Sequence, residues 1–213
     1  MDCNLMAYSH NLLNVADIKS ANDLFNFAVK ELQIGVKKSK HPFHLVSLCT
    51  IKDQTPYART VVSRGIDEEL VSVRIHSDVR AEKISQIATD NQVALLYYSS
   101  EQKLQVRLNG VAEIVNAPGE LLNYFNSSSL HSKLCYAFPI APGEPLKEQT
   151  KEAQFKDINE SNFLSHETSA KAHFSVIKIE ILTADILWLS RSGHIRIRGD
   201  RNNGQWKFDF VVA

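Results

Sequence analysis

The sequence predicts a mainly β protein, an antiparallel barrel with peripheral helices. Polar and apolar residues alternate strictly over residues 103–109, which is the pattern of a half-buried strand. Such segments follow one another as hairpin-like neighbours and do not alternate with helices. That order favours an antiparallel barrel over a doubly wound sheet. The length of 213 residues suits one domain, 1–213.

Three segments have helical spacing. Apolar residues that include Leu24, Ala28 and Leu32 predict a helix over about residues 20–34, and Gly35 stands where a C-terminal cap belongs. A second helix is predicted over 79–89, and a third begins at Pro118. Residues 117–170 are predicted to form an irregular insertion of helix and loop, with a further helix in the polar stretch 147–162.

Strands are predicted wherever the period changes to two or an apolar run is short. They are residues 44–51, 57–63, 70–77, 93–98, 103–109, 111–115, 173–182, 184–190, 194–198 and 206–212. Gly110 predicts a bulge or a bend between two of them. The run 93–98 is apolar throughout, which predicts burial on both faces. The last pair is joined by a hairpin that contains Asn203-Gly204.

The charge balance argues against general binding to nucleic acid or to anionic membranes. Lys and Arg number 24 and Asp and Glu number 24, so the net charge is 0. General binding to either polyanion depends on excess positive charge. A local basic pocket for a small anion is still compatible with this sum.

The cysteines and the N-terminus favour a cytoplasmic protein. Cys3, Cys49 and Cys135 are far apart, so neither a disulfide framework nor a zinc site is indicated. The first six residues lack the basic start of a signal peptide. The longest apolar run, 93–98, is far shorter than the roughly 20 residues of a membrane span.

Familiar catalytic and metal motifs are absent. The sequence has no G-x-G-x-x-G, Walker loop, H-E-x-x-H or G-x-S-x-G. His41 and His44 flank Pro42, which favours a surface or edge-strand role over a metal site. His131 and Cys135 have the spacing of a helical Cys-His pair, but a structural cysteine is the commoner reading. No side chain is indicated as a catalytic base.

Two cationic segments remain to be explained. In the strand 59–64, alternation places Arg59, Val61 and Ser63 on one face, and the even-numbered residues on the other. Its main chain either runs alongside a flat ligand or forms an ordinary edge strand. Farther along, Ser77 or Asp78 is predicted to cap a helix that carries Arg80 and Lys83 near its start. A helix N-terminus beside two cations outlines a phosphate site, although many surface helices begin in this way.

A third cationic segment lies near the C-terminus. His194, Arg196 and Arg198 alternate onto one face, about 6.6 Å apart, and repel one another unless an anion or solvent compensates. An exposed edge strand is the alternative. Trp188 offers a flat surface nearby. The three segments together predict an aromatic ligand that bears a phosphate.

The order of these segments, with Gln105–Gly110 between them, resembles the pyridoxamine 5′-phosphate oxidase-related FMN-binding split-barrel family. The resemblance covers about residues 40–130 and 173–213. It implies a split β-barrel homodimer that binds FMN at the subunit interface. Arg80 and Lys83 would hold the phosphate, and Trp188 and Arg198 would approach from the partner subunit. The cofactor residues it implies are Arg59, Thr60, Val61, Val62, Ile75, Arg80, Lys83, Gln105, Trp188 and Arg198.

The resemblance also implies a substrate pocket, and here the sequence departs from the family. The implied substrate residues are Arg64, Tyr124, Ser132, His194 and Arg196. Ser128 stands where an arginine for the substrate phosphate is expected, and His194-Ile195-Arg196 replaces an Arg-x-His. Arg74 is unusual at its position. These departures predict a substrate other than pyridoxamine 5′-phosphate.

The function predicted is therefore that of an FMN-dependent oxidoreductase, with hydride chemistry supplied by the flavin. One alternative is a non-catalytic barrel that holds flavin or haem, in which His76 or His194 serves as a haem ligand. Another is an interaction protein with an empty barrel.

Overall fold

The structure is a computed structural model that describes residues 18–146, 158–191 and 193–213. Its strands are β1 (Leu45–Lys52), β2 (Thr55–Ile66), β3 (Ser72–Asp78), β4 (Gln92–Ser99), β5 (Leu104–Ile114), β6 (Phe174–Trp188), β7 (Ile195–Asn202) and β8 (Gln205–Val211). Its α-helices are α1 (Ala21–Lys37), α2 (Glu82–Thr89), α3 (Pro118–Ser127), α4 (Leu130–Leu134) and α5 (Phe163–His173), and a 3₁₀ turn covers Pro42–His44.

The strands form one antiparallel sheet that closes on itself. Their order is β3-β2-β1-β4-β5-β6-β7-β8, and β3 also pairs with β6. Six strands therefore make a closed barrel, and β7 and β8 extend the sheet outward from β6. The predicted fold class is confirmed.

The barrel interior is filled by alternate residues of its strands. Leu48, Ile75, Leu95, Leu108 and Ile179 are at most 1% exposed. This follows from the period of two, which sends successive side chains to opposite faces. The interior also contains hydrogen-bonded polar pairs.

One such pair links β2 to β4. The Ser63 hydroxyl lies 3.2 Å from the Tyr97 hydroxyl, and burial raises the pKa of Tyr97. Ser63 therefore faces the barrel interior, as the alternation in the segment 59–64 predicts.

Helix α1 is longer than the sequence predicts. Ser20 and Asp23 form a capping box at its start. The predicted C-cap at Gly35 is wrong, because the helix continues to Lys37. A Cβ on Gly35 would lie 2.5 Å from the Phe43 main chain, so the glycine permits close packing.

A buried polar network attaches α1 to the barrel. His41 Nδ1 accepts from the Phe43 amide at 3.2 Å, and its Nε2 lies 3.1 Å from Glu31 Oε2. The Gln102 amide also donates to Glu31, and Trp188 Nε1 donates to the Gln102 carbonyl at 3.1 Å. The surface or edge-strand role predicted for His41 is wrong, because its side chain is buried in this network. The described residues contain no cluster of three or more potential metal ligands.

Strand β6 spans two predicted strands without a break. The segments 173–182 and 184–190 form one 15-residue strand, and the pairing with β5 shifts register between Asn109 and Gly110. The bulge predicted at Gly110 is confirmed. The turn at Asn203-Gly204 is confirmed by positive φ at both residues, and Asp53 and Gln54, between β1 and β2, also have positive φ.

Of the remaining expectations from the sequence, one is wrong and others lie wholly or mostly outside the described residues. Burial on both faces of β4 is wrong for the single chain, because Leu96 and Tyr98 are 40% and 50% exposed. The helix expected in 147–162 lies mostly outside the described residues, and the part described is not helical. Residues 1–17, which include Cys3, also lie outside them. In the parts of the chain that are described, no helix has the length and apolarity to cross a membrane.

We predict that Gly110→Ala destabilises the barrel. A Cβ at this position would lie 2.0 Å from the Glu180 carbonyl oxygen, which is backbone and cannot move aside cheaply. Overpacking of this kind costs about 1–3 kcal/mol or more. Urea unfolding at pH 7 measures the change.

Gly119→Ala is the matched control, since nothing lies within 4 Å of a Cβ at that helical position. It should raise the free energy of unfolding by about 0.5–1 kcal/mol. Equal stability of the two variants would contradict the close approach of β5 to β6.

Candidate functional site

An opening lies where β2 changes partners. Residues 55–62 pair with β1, and β2 pairs with β3 only from Ser63 onward. In the described pairings, the main chain of residues 59–62 therefore has no strand neighbour on the β3 side. Thr60 is exposed here, and Val61 and Val62 are half-buried. Free main-chain groups along an extended segment can accommodate a flat ligand.

Two cations lie at this opening. Arg59 donates to Thr50 Oγ1 at 2.6 Å and to Gln86 Oε1 at 2.9 Å, which fixes its guanidinium against α2. Lys83 donates to Ser77 Oγ at 3.3 Å. Burial lowers the pKa of Lys83, and the nearby charge of Arg59 lowers it further.

Neither cation has an ion-pair partner among the described residues. An anion bound between them would relieve their repulsion and restore the pKa of Lys83. The pair can therefore hold a phosphate.

Arg80 is bound differently from the predicted arrangement. Its guanidinium makes a bidentate pair with Asp78, at 2.9 and 2.7 Å, and donates to the Phe138 and Pro139 carbonyls at 3.0 Å each. The helix cap predicted at Ser77 or Asp78 is wrong, because α2 begins at Glu82 and its N-cap, Ala81, makes no side-chain cap bond. Arg80 thus precedes the helix and attaches the 138–139 loop to the end of β3.

Three arginines surround one carboxylate on the outer face of β5, β6 and β7. Asp185 accepts from Arg196 at 2.8 and 2.9 Å, from Arg198 at 3.1 and 3.2 Å, and from Arg107. Burial alone would raise the pKa of Asp185, but these hydrogen bonds lower it well below its usual range. The cluster carries a net charge of +2.

Asp185 was not among the residues predicted from the sequence, although a lone acid among the apolar residues of a strand is a signal that could have identified it. Asp185, Arg107 and Arg198 line a cavity of about 430 Å³, together with Cys49 and Leu96. Gln105 alternates onto the same face of β5 as Arg107.

Three of the implied residues lie elsewhere than expected. Trp188 is only 8% exposed and is held in its own chain by its bond to Gln102, so its ring offers no flat surface. Ile75 is wholly buried in the barrel, and its main chain is paired with both β2 and β6. His194 precedes β7, is exposed, and accepts from the Ser190 amide at 3.2 Å.

The implied substrate residues of β2, α3 and α4 do come together. Arg64 Nη2 donates to Ser132 Oγ at 3.1 Å, and the Arg74 guanidinium carbon lies 4.2 Å from the centre of the Tyr124 ring. Arg74 also donates to the Arg64 carbonyl at 3.0 Å. Ser128 follows the end of α3, and its hydroxyl donates to the Tyr124 carbonyl at 2.8 Å.

His76 lies beside this cluster and is unusual. Its ring makes an edge contact with Phe174, 4.9 Å between centres, and neither ring nitrogen has a hydrogen-bond partner among the described residues. Burial, together with the charges of Arg64 and Arg74, lowers the pKa of His76 to about 3. The imidazole is therefore neutral at pH 7.

This fold has relatives among proteins of known structure. An FMN-binding protein related to pyridoxamine 5′-phosphate oxidase, from Nostoc punctiforme, superposes with a TM-score of 0.71 at 18% identity, over 89% of this chain and 97% of its own. PhzG from Burkholderia lata, in complex with tetrahydrophenazine-1-carboxylic acid, superposes with a TM-score of 0.68 at 14% identity, over 96% and 100%. The closed six-stranded barrel with peripheral helices is thus a split barrel.

Sequence comparison gives the family. Residues 26–116 match the family model described as pyridoxamine 5′-phosphate oxidase, FMN-binding domain. Pyridoxine/pyridoxamine 5′-phosphate oxidase 2 of Arabidopsis thaliana is 30% identical over an alignment of 138 residues, and the match covers 60% of this chain and 69% of that protein. The chain belongs to the pyridoxamine 5′-phosphate oxidase-related family of FMN-binding proteins.

We predict that His76 reduces stability in mild acid. Its pKa is about 3 in the folded chain and 6.5 ordinarily, so the unfolded chain binds the proton more tightly. Its contribution is fully present above pH 6.5 and is lost as the pH falls toward 3. Between pH 7 and pH 5 the loss is about 2 kcal/mol.

His76→Phe removes this titration. The free energy of unfolding of the native chain, minus that of the variant, should fall by about 2 kcal/mol from pH 7 to pH 5. Taking the difference cancels the other histidines. A difference that stays constant with pH would show that His76 is not buried as a neutral ring.

Proposed function

We propose that this protein is an FMN-dependent oxidoreductase. The observation that carries the proposal is the opening beside residues 59–62, where Arg59 and Lys83 have no carboxylate partner among the described residues. A phosphate dianion satisfies both cations, and charge-assisted hydrogen bonds of this kind are strong. Family membership supports FMN as the ligand.

The residues present fit FMN in outline. The Ser77 hydroxyl and the Lys83 ammonium would bind the phosphate, with Arg59 and Arg80 beside them, and the main chain of residues 59–62 would follow the ring system. Gln105 would hydrogen-bond the flavin. When bound, the flavin supplies hydride transfer, while the protein supplies binding and orientation. We also propose a cytoplasmic location, since Cys49 and Cys135 are free thiols.

The phosphate assignment is tested by changing Arg59 and Lys83 to Ala together. Loss of charge-assisted bonds worth about 1.5–3 kcal/mol each should weaken FMN binding at least about tenfold. Calorimetric titration of FMN measures the change. Lys30→Ala, on the exposed face of α1, is the control for the loss of positive charge. If the variant binds FMN as tightly as the native chain does, the FMN phosphate does not bind at this position.

We propose further that the site is completed by a second copy of the chain. Leu96 and Tyr98 expose an apolar face on β4, and Arg198 is more than half exposed at the edge of the neighbouring cavity. A partner would cover this face and bring Arg198 to the flavin. Because Trp188 is enclosed in its own chain, we assign the contact across the interface to Arg198.

A homodimer is therefore expected. Light scattering should give about 48 kDa, twice the chain mass of 24.0 kDa. C2 dimers are the commonest closed assemblies. A 24 kDa species that still binds FMN tightly would contradict a shared site.

We propose that pyridoxamine 5′-phosphate is not the preferred substrate. Ser128 caps α3 and offers no guanidinium, and Arg196 is paired with Asp185. A hydroxyl provides neither the charge nor the parallel donors of an arginine fork. PhzG shows that a split barrel can hold a ring-bearing carboxylic acid. We infer that the substrate of this protein is also a molecule other than pyridoxamine 5′-phosphate.

Turnover of pyridoxamine 5′-phosphate with oxygen tests this proposal. The FMN-loaded protein should turn over far more slowly than about 1 per second, an ordinary enzymatic rate. Ser128→Arg should increase the rate if a missing guanidinium is the cause. Ordinary turnover by the native chain would show that Ser128 costs nothing.

A further inference from the structure

Asp185 stands between two arginines in a row of side chains that crosses three strands. It is the direct cross-strand partner of Arg107 on β5 and of Arg198 on β7. The Asp185 side chain is only 12% exposed, whereas the side chains of Arg107 and Arg198 are 46% and 57% exposed. The carboxylate therefore forms the buried base of a cluster whose cations reach the surface.

Two arginine forks bind this carboxylate through the same edge. Asp185 accepts from Nε and Nη2 of Arg196 at 2.9 and 2.8 Å, and from Nε and Nη2 of Arg198 at 3.2 and 3.1 Å. Two bonds from one edge fix the plane of a guanidinium as well as its position. Among the described residues, Nη1 of neither arginine has a hydrogen-bond partner, so each fork keeps a free donor.

This arrangement bears on the contact that Arg198 is proposed to make across the interface. An arginine side chain has many rotamers, and ordering it at the moment of binding lowers the affinity for the ligand. A guanidinium that is fixed before the ligand arrives avoids this loss. In the proposed dimer, Asp185 and Arg198 belong to one copy and the bound phosphate to the other.

The negative charge of Asp185 has the opposite effect on an anionic ligand. The carboxylate lowers the positive potential of the three arginines, and an anion is attracted less strongly as a result. If Asp185 only balanced charge, its removal would strengthen the binding of an anion. If Asp185 holds the arginines in place, its removal weakens that binding. The two roles therefore predict effects of opposite sign.

We propose that Asp185 is a positioning residue of the flavin site, which holds Arg198, with Arg196 beside it, in the orientation that binds the flavin of a second copy. The inference rests on the proposed function in taking FMN to be the ligand. Asp185 needs no contact with the flavin, because it acts through the arginine.

Two variants of Asp185 separate its position from its charge. Asp185→Glu keeps the charge and moves the carboxylate by one methylene group, and Asp185→Asn keeps the shape and removes the charge. Both should weaken FMN binding about tenfold in a calorimetric titration, because Arg198 is then ordered only on binding.

Asp200→Asn is the matched control for the change of charge. Asp200 lies two residues from Arg198 on the same strand, is exposed, and forms no ion pair within the described part of the chain. This variant should bind FMN as tightly as the native chain does. Thermal unfolding confirms that each variant is folded.

A mixed dimer distinguishes positioning from a general loss of stability. One copy carries Asp185→Asn and the other carries Arg59→Ala with Lys83→Ala, and both are co-expressed with different affinity tags. The phosphate residues of the first copy and the Asp185 cluster of the second then complete one site per dimer. Tight FMN binding should return at that site. If Asp185→Asn damages the phosphate site of its own copy, tight binding does not return and the inference is overturned.

The Nε–H signal of Arg198 tests the position directly, with or without flavin. In a nitrogen-labelled chain, an Nε–H group that is hydrogen-bonded exchanges slowly with water and gives a resolved NMR signal, which Arg198→Lys identifies. The signal should be present in the native chain and in Asp200→Asn, and absent in Asp185→Asn. Its absence from the native chain would overturn the inference, as would tighter FMN binding by Asp185→Asn or native affinity in Asp185→Glu.

The two proposals fail separately. If the native chain takes up no FMN, the oxidoreductase proposal is rejected. The Arg198 signal still decides whether Asp185 holds this arginine, because the measurement needs no ligand.

Discussion

Strand β6 closes the barrel, and its pairings set the positions of the cationic side chains on the outer face. This 15-residue strand pairs with β5 along most of its length, with β3 through its first half and with β7 through its second half. Pairing with β3 fixes Arg74 and His76 on the outer surface. Pairing with β7 brings Arg196 and Arg198 to Asp185. Strand β6 thus helps to position two groups of cations, one that includes Arg74 and one around Asp185. Gly110 permits the close approach of β6 to β5.

The net charge of the chain is zero, but its cations are clustered. The clusters differ in how far nearby carboxylates neutralise their charge. Around Asp185, one carboxylate already balances part of the charge of three guanidiniums. Arg80 is likewise balanced by Asp78. By contrast, Arg59 with Lys83, and Arg64 with Arg74, have no such partner in the described residues. Unbalanced, partly buried cations are where an anionic ligand gains most, because the cost of burying the charges is already met by folding.

Much of the fold could be predicted from the sequence, because strand period and turn chemistry are local. The alternation in β5, the bulge at Gly110 and the turn at Asn203-Gly204 needed no knowledge of distant contacts. The wrong predictions concern residues whose environment is set by tertiary packing. The helix continues through Gly35, against which the Phe43 main chain packs closely. The Trp188 ring is buried and donates a hydrogen bond to Gln102. Asp185 could not be paired with its arginines from sequence, since the pairing depends on the registers of three strands. The same limit applied to Arg74, whose guanidinium needs the space at Gly65.

The identity of the ligand that co-purifies with the protein tests the central claim most directly. Mass spectrometry of the released ligand, with a visible spectrum of the intact protein, distinguishes the candidates in one preparation. We expect FMN, with the flavin's own absorption bands at roughly 370 and 450 nm. A haem Soret band, or a colourless protein that takes up no added FMN, would contradict it.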